Sequence, residues 1–445
     1  MKLTIVHNNL EVSGTFKYIV MVARGFRQLG WDVQLIYSGE NVNAPLVQSM
    51  LGSIPAARFA GRFSEELSRA VASVPIRLFA SHLFTPDQSP NFVGMFSGRR
   101  RFLRLVSDSD LVIYSNPFAF PPWLLLRQNR PRSILLFHEG IDTAFLPRLL
   151  RVPLQAYLRQ VSRSVTGSVS LTLATAKRLA QRRVQAWPIY HGFEQPPPSS
   201  TEREDLVLAD SRWNAGRDPS FVVELATRVP TARFVLCGKI GSEALRAKLR
   251  SKMGDANVAD RIQVKERFDE AELAQLYQRA KIAVRWGGPE DGFTFSLSQA
   301  VSYGCVPVLS RELGGAYYLA REVSADLAVD GVDGFAHVIS RLLNEPEFYR
   351  EMRDRVDAWR QRRPWTIVCS EFLRVGCPDM LPSELSGHIA APRRGWLWSR
   401  KTFVSDYTPS RSTSRRVSGP ERSANSSESR RGRSATGAET TEKKV

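Results

Sequence analysis

The stretch from 280 to 315, AKIAVRWGGPEDGFTFSLSQAVSYGCVPVLSRELGG, constrains the fold more than any other part of the chain. AKIAVRW is a short apolar run with β-branched residues that closes on a glycine pair, so it reads as a buried strand. GPEDGF is a turn carrying two acids. SLSQAVSY has helical spacing and stops at Gly304. VPVLS is a further strand, and ELGG opens the next helix. Strand, loop, helix, strand in this order builds a parallel α/β sheet. Both loops then lie beyond the carboxyl ends of the strands, where such sheets bind ligands. An acid facing hydroxyls and a Gly-Gly pair at a helix start suit a ligand with a sugar at one end and a phosphate at the other.

The same alternation recurs from the N-terminus. KLTIVH (2–7) reads as a buried strand, followed by a polar loop with Gly14, an amphipathic helix over 16–29 ended by Gly30, and a second strand, WDVQLIY. The loop lacks Gly-x-Gly-x-x-Gly, which weakens a dinucleotide reading. Residues 44–104 mix apolar residues with Arg58, Arg62, Arg69, Arg77 and the run Arg99-Arg100-Arg101. Helices and a loop are expected there rather than strands, with a basic amphipathic surface that suits anionic lipid or a solvated helix face. DLVIYS (110–115) is the next strand, and a helix is expected from Pro121 or Pro122. SILLFHEG (133–140) is a strand ending in His138-Glu139-Gly140. A histidine there faces a cleft or is satisfied locally at the strand end, and Glu139 is a candidate of the same kind.

A strand and helix over 168–181 complete a first α/β domain, taken as 1–193, and the Pro-rich run QPPPSS marks a linker over 194–204. A second α/β domain is expected over 205–364. It opens with VLADSRWNAGRDPSFVVELATRV, which reads strand, basic loop, helix. Arg212 and Arg217 set two fixed cations before a helix N-terminus. Two arginines in a loop are ordinary by themselves; between a strand and a helix N-terminus they suit an anionic group. ARFVLCGK (232–239) runs into a glycine loop, where Lys239 is either a phosphate contact or a surface lysine. Trp365 begins a short helix, WTIVCSEFL, and a further segment runs to 389. From 390 to 445 the chain is Ser, Arg, Thr and Gly, which cannot bury a core, so a disordered basic tail is expected.

These features together resemble the retaining, nucleotide-sugar-dependent glycosyltransferases of family 4, the "glycosyl transferases group 1" type. Their signature is Glu-Gly-Phe-Gly, then a second Glu eight positions after the first. Here the positions read Asp291-Gly292-Phe293-Thr294 and Gln299. Ala300, Gly304, Pro307, Val308 and Gly314-Gly315 continue the pattern, and Arg212 and Arg217 stand at the spacing of the family's Arg and Lys. The resemblance implies the GT-B fold, two Rossmann-like doubly wound domains facing a cleft that a hinge can close. It implies a donor held mainly by the second domain. Arg212 and Arg217 hold the diphosphate, with Lys239 as a further candidate. Asp291, Phe293, Gln299, Gly314 and Gly315 meet the sugar and ribose. His138 lines the opposite wall, with Gly14 and Glu139 on the acceptor side. It also implies retention of configuration without a metal. The nucleotide sugar, UDP- or GDP-linked, is a substrate, so no cofactor is expected.

Charge and cysteine usage bound the setting. The net charge is +18, and residues 391–445 supply 13 Lys/Arg against 5 Asp/Glu. Such a balance favours anionic partners or simply keeps the surface solvated. The four cysteines, Cys237, Cys305, Cys369 and Cys377, show no metal-ligand spacing; Cys237 and Cys305 read as core strand residues. A cytoplasmic protein is expected, peripheral at the inner face of the membrane if it touches one, with a glycan or lipid-linked acceptor. The longest apolar candidate, 111–126, is broken by Pro117, Pro121 and Pro122, so no transmembrane helix is expected. Two other readings use the same residues. One is a catalytically impaired GT-B scaffold, favoured by the altered acids and opposed by the cation pair. The other is a nucleotide- or polyanion-binding protein, nucleic acid included, resting on charge alone.

Overall fold

A computed structural model describes residues 1–10, 13–39, 44–60, 98–127, 130–138, 148–196, 202–214, 216–287 and 294–382. The expected tail, like residues 61–97, lies outside the described residues. Met1–Ile389 form one compact unit.

In the first lobe the elements are β1 (Lys2–His7), α1 (Gly14–Gln28), β2 (Asp32–Tyr37), α2 (Ala44–Leu51), β3 (Ala56–Arg58), α3 (Arg99–Val106), β4 (Leu111–Tyr114), β5 (Ser133–Phe137), α4 (Arg148–Ser164), β6 (Gly167–Ser170), α5 (Leu173–Gln181) and β7 (Trp187–Pro188). The strands form a parallel sheet ordered β3-β2-β1-β4-β5-β6-β7. The order reverses between β1 and β4. α1 shows why the chain folds this way. Ser13 caps it, its Oγ accepting from the Phe16 amide at 3.1 Å, and Phe16, Ile19, Val20 and Phe26 bury one stripe against β1 and β2. Gly30, at φ 82°, ends it as expected.

Two local expectations fail. Residues 56–58 are a strand, with Leu35 paired to Ala56. Three residues on a sheet edge are too few for period-two spacing to show. The chain from Pro117 runs as two 3₁₀ turns, Pro117–Ala119 and Pro122–Leu126, not as a helix. Three prolines in six residues remove the amides that a longer helix needs.

The second lobe contains β8 (Glu204–Asp210), α6 (Phe221–Arg228), β9 (Arg233–Cys237), α7 (Glu243–Asp255), β10 (Ile262–Lys265), α8 (Glu270–Arg279), β11 (Ala280–Arg285), α9 (Phe295–Ser302), β12 (Val306–Ser310), α10 (Ala316–Glu322), β13 (Ala328–Val329), α11 (Gly331–Asn344) and α12 (Pro346–Arg362). Its parallel sheet is ordered β10-β9-β8-β11-β12-β13, reversing between β8 and β11. A final helix, α13 (Trp365–Gly376), returns to the first lobe. There Val368, Phe372 and Leu373 join the core of α1 and β1. All four cysteines are free and buried; Cys305 sits one residue before β12 rather than in it. No described helix is long and apolar enough to cross a membrane.

Candidate active site

The reversal between β8 and β11 is where an open parallel sheet binds its ligand. β8 ends in Asp210 and β11 ends in Arg285. Their register pairs Leu208 with Ala283, so two residues on, Asp210 and Arg285 stand side by side. Both are charged where a buried strand is otherwise apolar. Arg285 is 4% exposed. Its Nη1 donates to the Asp210 carbonyl at 3.0 Å, while its Nε has no partner among the described residues. Burial, and then the nearby Arg217 guanidinium, pull its pKa down to about 9. The Asp210 carboxylate accepts from the Tyr277 hydroxyl at 2.7 Å, and burial pushes its pKa up. A buried guanidinium with an unused N–H is costly unless an anion completes it.

The loop after β8 is held from two sides. The Trp213 indole donates to the Cys237 carbonyl at 2.9 Å, and its amide donates to the Lys239 carbonyl at 3.0 Å. Gly238, at φ 111°, leaves no room for a side chain: a Cβ there would stand 1.8 Å from the Ser211 carbonyl oxygen. The Arg217 amide donates to both oxygens of Asn214 at 3.0 Å, closing a tight turn. This loop presents Arg212 exposed and Arg217 half-buried. Arg217 is thus the cation next to Arg285, and Arg212 stands further out.

Gln299 is half-buried on α9. The buried side of α9 is fastened to the segment joining the lobes. Ser298 Oγ donates to the Gly192 carbonyl at 2.7 Å, and Ser302 Oγ accepts from the Glu194 amide at 2.9 Å. The N-terminus of α9 faces the first lobe, since a Cβ on Gly14 would stand 4.0 Å from Phe295 Cβ. The first helix of one lobe and the motif-bearing helix of the other therefore meet. Lys17 on α1 also pairs with Glu270 on α8 across the same gap.

The opposite wall is aromatic. His138, half-buried just past β5, stands edge-on to Tyr18 with ring centroids 5.5 Å apart. Tyr18 is fully buried, and His191 and Trp365 also stand edge-on to it at 4.9 Å and 5.3 Å. Behind them Arg363 makes a two-pronged pair with Glu371 at 2.9 and 2.7 Å and donates to the carbonyls of Tyr190 and His191. Burial, aided by the Arg363 charge, pushes the His191 pKa down to about 3, so its ring is neutral.

Of the residues singled out in the sequence, Arg212, Arg217 and Gln299 lie on the second lobe around the strand reversal. Gly315, buried, precedes α10 with Gly314 beside it. His138 and Gly14 lie on the first lobe. Lys239 is exposed on the loop after β9, where its carbonyl holds Trp213. Asp291, Phe293 and Glu139 lie outside the described residues. Sequence reading missed Arg285 and Asp210. Their signal was present: one charge ending each of two apolar strands.

Residues 198–359 match the family model described as "Glycosyl transferases group 1". No curated protein matches the sequence significantly. Several solved structures superpose over most of the chain. Anabaena Alr3699/HepE in complex with UDP and glucose gives a TM-score of 0.62 at 12% identity, over 84% of this chain and 98% of that one. S. aureus TarM, solved with fondaparinux, alpha-GlcNAc-glycerol and UDP, gives 0.62 at 11% identity, over 84% and 99%. Sucrose-phosphate synthase from Thermosynechococcus elongatus gives 0.55 at 15%, over 84% and 98%. The chain has the GT-B fold: two Rossmann-like parallel sheets. Its second lobe carries the group 1 match.

Proposed function

We propose that the protein transfers a sugar from a nucleoside-diphosphate sugar to an acceptor hydroxyl with retention of configuration. The observation that carries this reading is the guanidinium pair at the strand reversal of the second sheet, Arg217 beside a buried, incompletely bonded Arg285. As the glycosidic bond breaks, negative charge accumulates on the β-phosphate, and cations already in place stabilise it without reorganisation. Arg212, further out on the same loop, meets the phosphate at the mouth of the site. Two or three guanidiniums supply the charge that a metal supplies elsewhere, so the reaction is metal-independent in this reading. Asp291 accepts hydrogen bonds from the sugar hydroxyls. Gln299 bonds the ribose through an amide that both donates and accepts. His138 closes the sugar from the first lobe. The departing phosphate takes the acceptor proton, so the leaving group itself serves as base.

UDP is the favoured base and diphosphate, because the HepE and TarM structures were solved with it. The acceptor is a glycan or lipid-linked glycan made on the cytoplasmic side of a membrane. The test is a donor screen that scores nucleotide release across UDP- and GDP-sugars, alongside calorimetric binding of UDP and GDP. Binding of one nucleotide with release from its sugar is expected. A chain that binds neither nucleotide would defeat the reading and leave an inactive scaffold.

A further inference from the structure

Positive charge is concentrated on one part of the chain. Residues 99–193 hold 15 Lys/Arg and 4 Asp/Glu, and no acid occurs from 143 to 193. The whole chain carries +18, and residues 391–445 hold 13 Lys/Arg and 5 Asp/Glu. The segment 99–193 thus carries +11, one more than the net +10 of residues 1–390.

The fold gathers this segment on one side. α3, the turn Pro122–Leu126, α4 and α5 cover the same face of the first sheet and share a core of Phe102, Trp123, Leu158, Val161 and Leu179. The Arg99 guanidinium lies 5.5 Å over the Trp123 ring. Arg130 donates to the Leu124 and Leu125 carbonyls at 2.9 Å and to the Ser164 carbonyl at 3.3 Å, tying the turn to the end of α4. Arg159 donates to the Arg182 carbonyl at 2.9 Å, tying α4 to the end of α5. The elements stand side by side, and their outer sides make one surface.

That surface mixes arginine with bare apolar side chains. Arg99, Arg100, Arg101 and Arg104 are exposed on the eight-residue α3, with no carboxylate partner among the described residues. Leu126 is 88% exposed and Val152 63%, two of the six exposed large hydrophobics among the described residues. A nucleic acid would use the guanidiniums and gain nothing from an isolated Leu or Val. The boundary of an anionic bilayer uses both: cations meet the headgroups, and short apolar side chains enter the acyl edge.

We propose that this outer face of the first lobe docks on an anionic phospholipid bilayer. The proposal does not rest on the donor-site reading. Co-sedimentation of the full chain with vesicles tests it, comparing phosphatidylcholine alone with phosphatidylcholine–phosphatidylglycerol mixtures. Binding only to the mixed vesicles is expected, weakening as salt rises. Reversing Arg100, Arg101 and Arg104 to Glu in the full chain should lower vesicle affinity at least tenfold, because each reversal removes a headgroup contact and adds a repulsive charge. An unchanged melting temperature and far-ultraviolet circular dichroism spectrum would show that the fold survives. Unchanged vesicle binding in that variant would overturn the proposal and assign any binding to residues 390–445. Leu126→Ser with Val152→Ser should weaken vesicle binding severalfold while leaving binding to single-stranded RNA unchanged. Equal loss toward both, or tighter binding to RNA than to the mixed vesicles, would overturn it in favour of a polyanion site.

Discussion

At the scale of single residues, the second lobe's strand reversal explains how a buried cation is retained. Arg285 has a charge that burial opposes, and the Asp210 carbonyl satisfies only part of it. In the proposed function, an anionic ligand completes the guanidinium. Arg285→Gln keeps much of the shape and loses the charge. It should weaken nucleotide binding about tenfold or more, since hydrogen bonds to charged groups contribute roughly 1.5–3 kcal/mol each. Calorimetric titration with UDP measures this, and a dissociation constant equal to wild type would remove Arg285 from the site. Arg217→Ala should raise the donor KM and lower kcat together, because it removes charge needed in both ground and transition states. Equal steady-state constants for this variant and wild type would rule out the phosphate contact.

The elements that join the lobes carry their own tests. Gly25 on α1 lets α13 approach closely, as a Cβ there would stand 2.7 Å from Cys369 Sγ and 3.0 Å from the Trp365 carbonyl oxygen. Gly25→Ala should therefore destabilise by about 1–3 kcal/mol, overpacking outweighing the helix propensity that Ala adds. A denaturation midpoint at or above wild type would contradict this packing. His191, on the segment between the lobes, has a folded pKa near 3 against the ordinary 6.5. As pH falls, the unfolded chain takes up this proton first. The contribution of His191 is thus complete above about pH 6.5 and declines toward pH 3, by at most about 1.4 kcal/mol per pH unit. Urea melts at pH 7 and pH 5 should show the loss, and His191→Gln should flatten it. An equally steep dependence in that variant would assign the effect elsewhere.

For the molecule as a whole, Lys17 and Glu270 bind one lobe to the other beside the cleft. With Lys17 17% and Glu270 47% exposed, the pair contributes little to stability, roughly 0–1 kcal/mol. Lys17→Ala should leave the melting temperature nearly unchanged and shift the lobes toward a more open arrangement, read as a larger radius of gyration by small-angle scattering. An unchanged radius with a large fall in melting temperature would make the pair a structural brace instead. The connecting segments limit such motion, because the Phe193 amide donates to the Arg363 carbonyl at 2.9 Å and α9 is bonded to the same strip.

The sequence by itself determined the two α/β halves, the loop with Arg212 and Arg217, and the end of α9 at Gly304. Each rests on local causes: strand and helix periodicity, a glycine able to adopt positive φ, and caps within a few residues. It did not disclose β3, whose three residues are too short to show a period, or the 3₁₀ course of the proline-rich turn. Only the tertiary structure decided that Asp210 and Arg285, 75 residues apart, end neighbouring strands at the reversal. Only it decided that Tyr18, His138, His191 and Trp365 form one wall. Register between distant strands follows from packing across the whole core, and no local spacing encodes it.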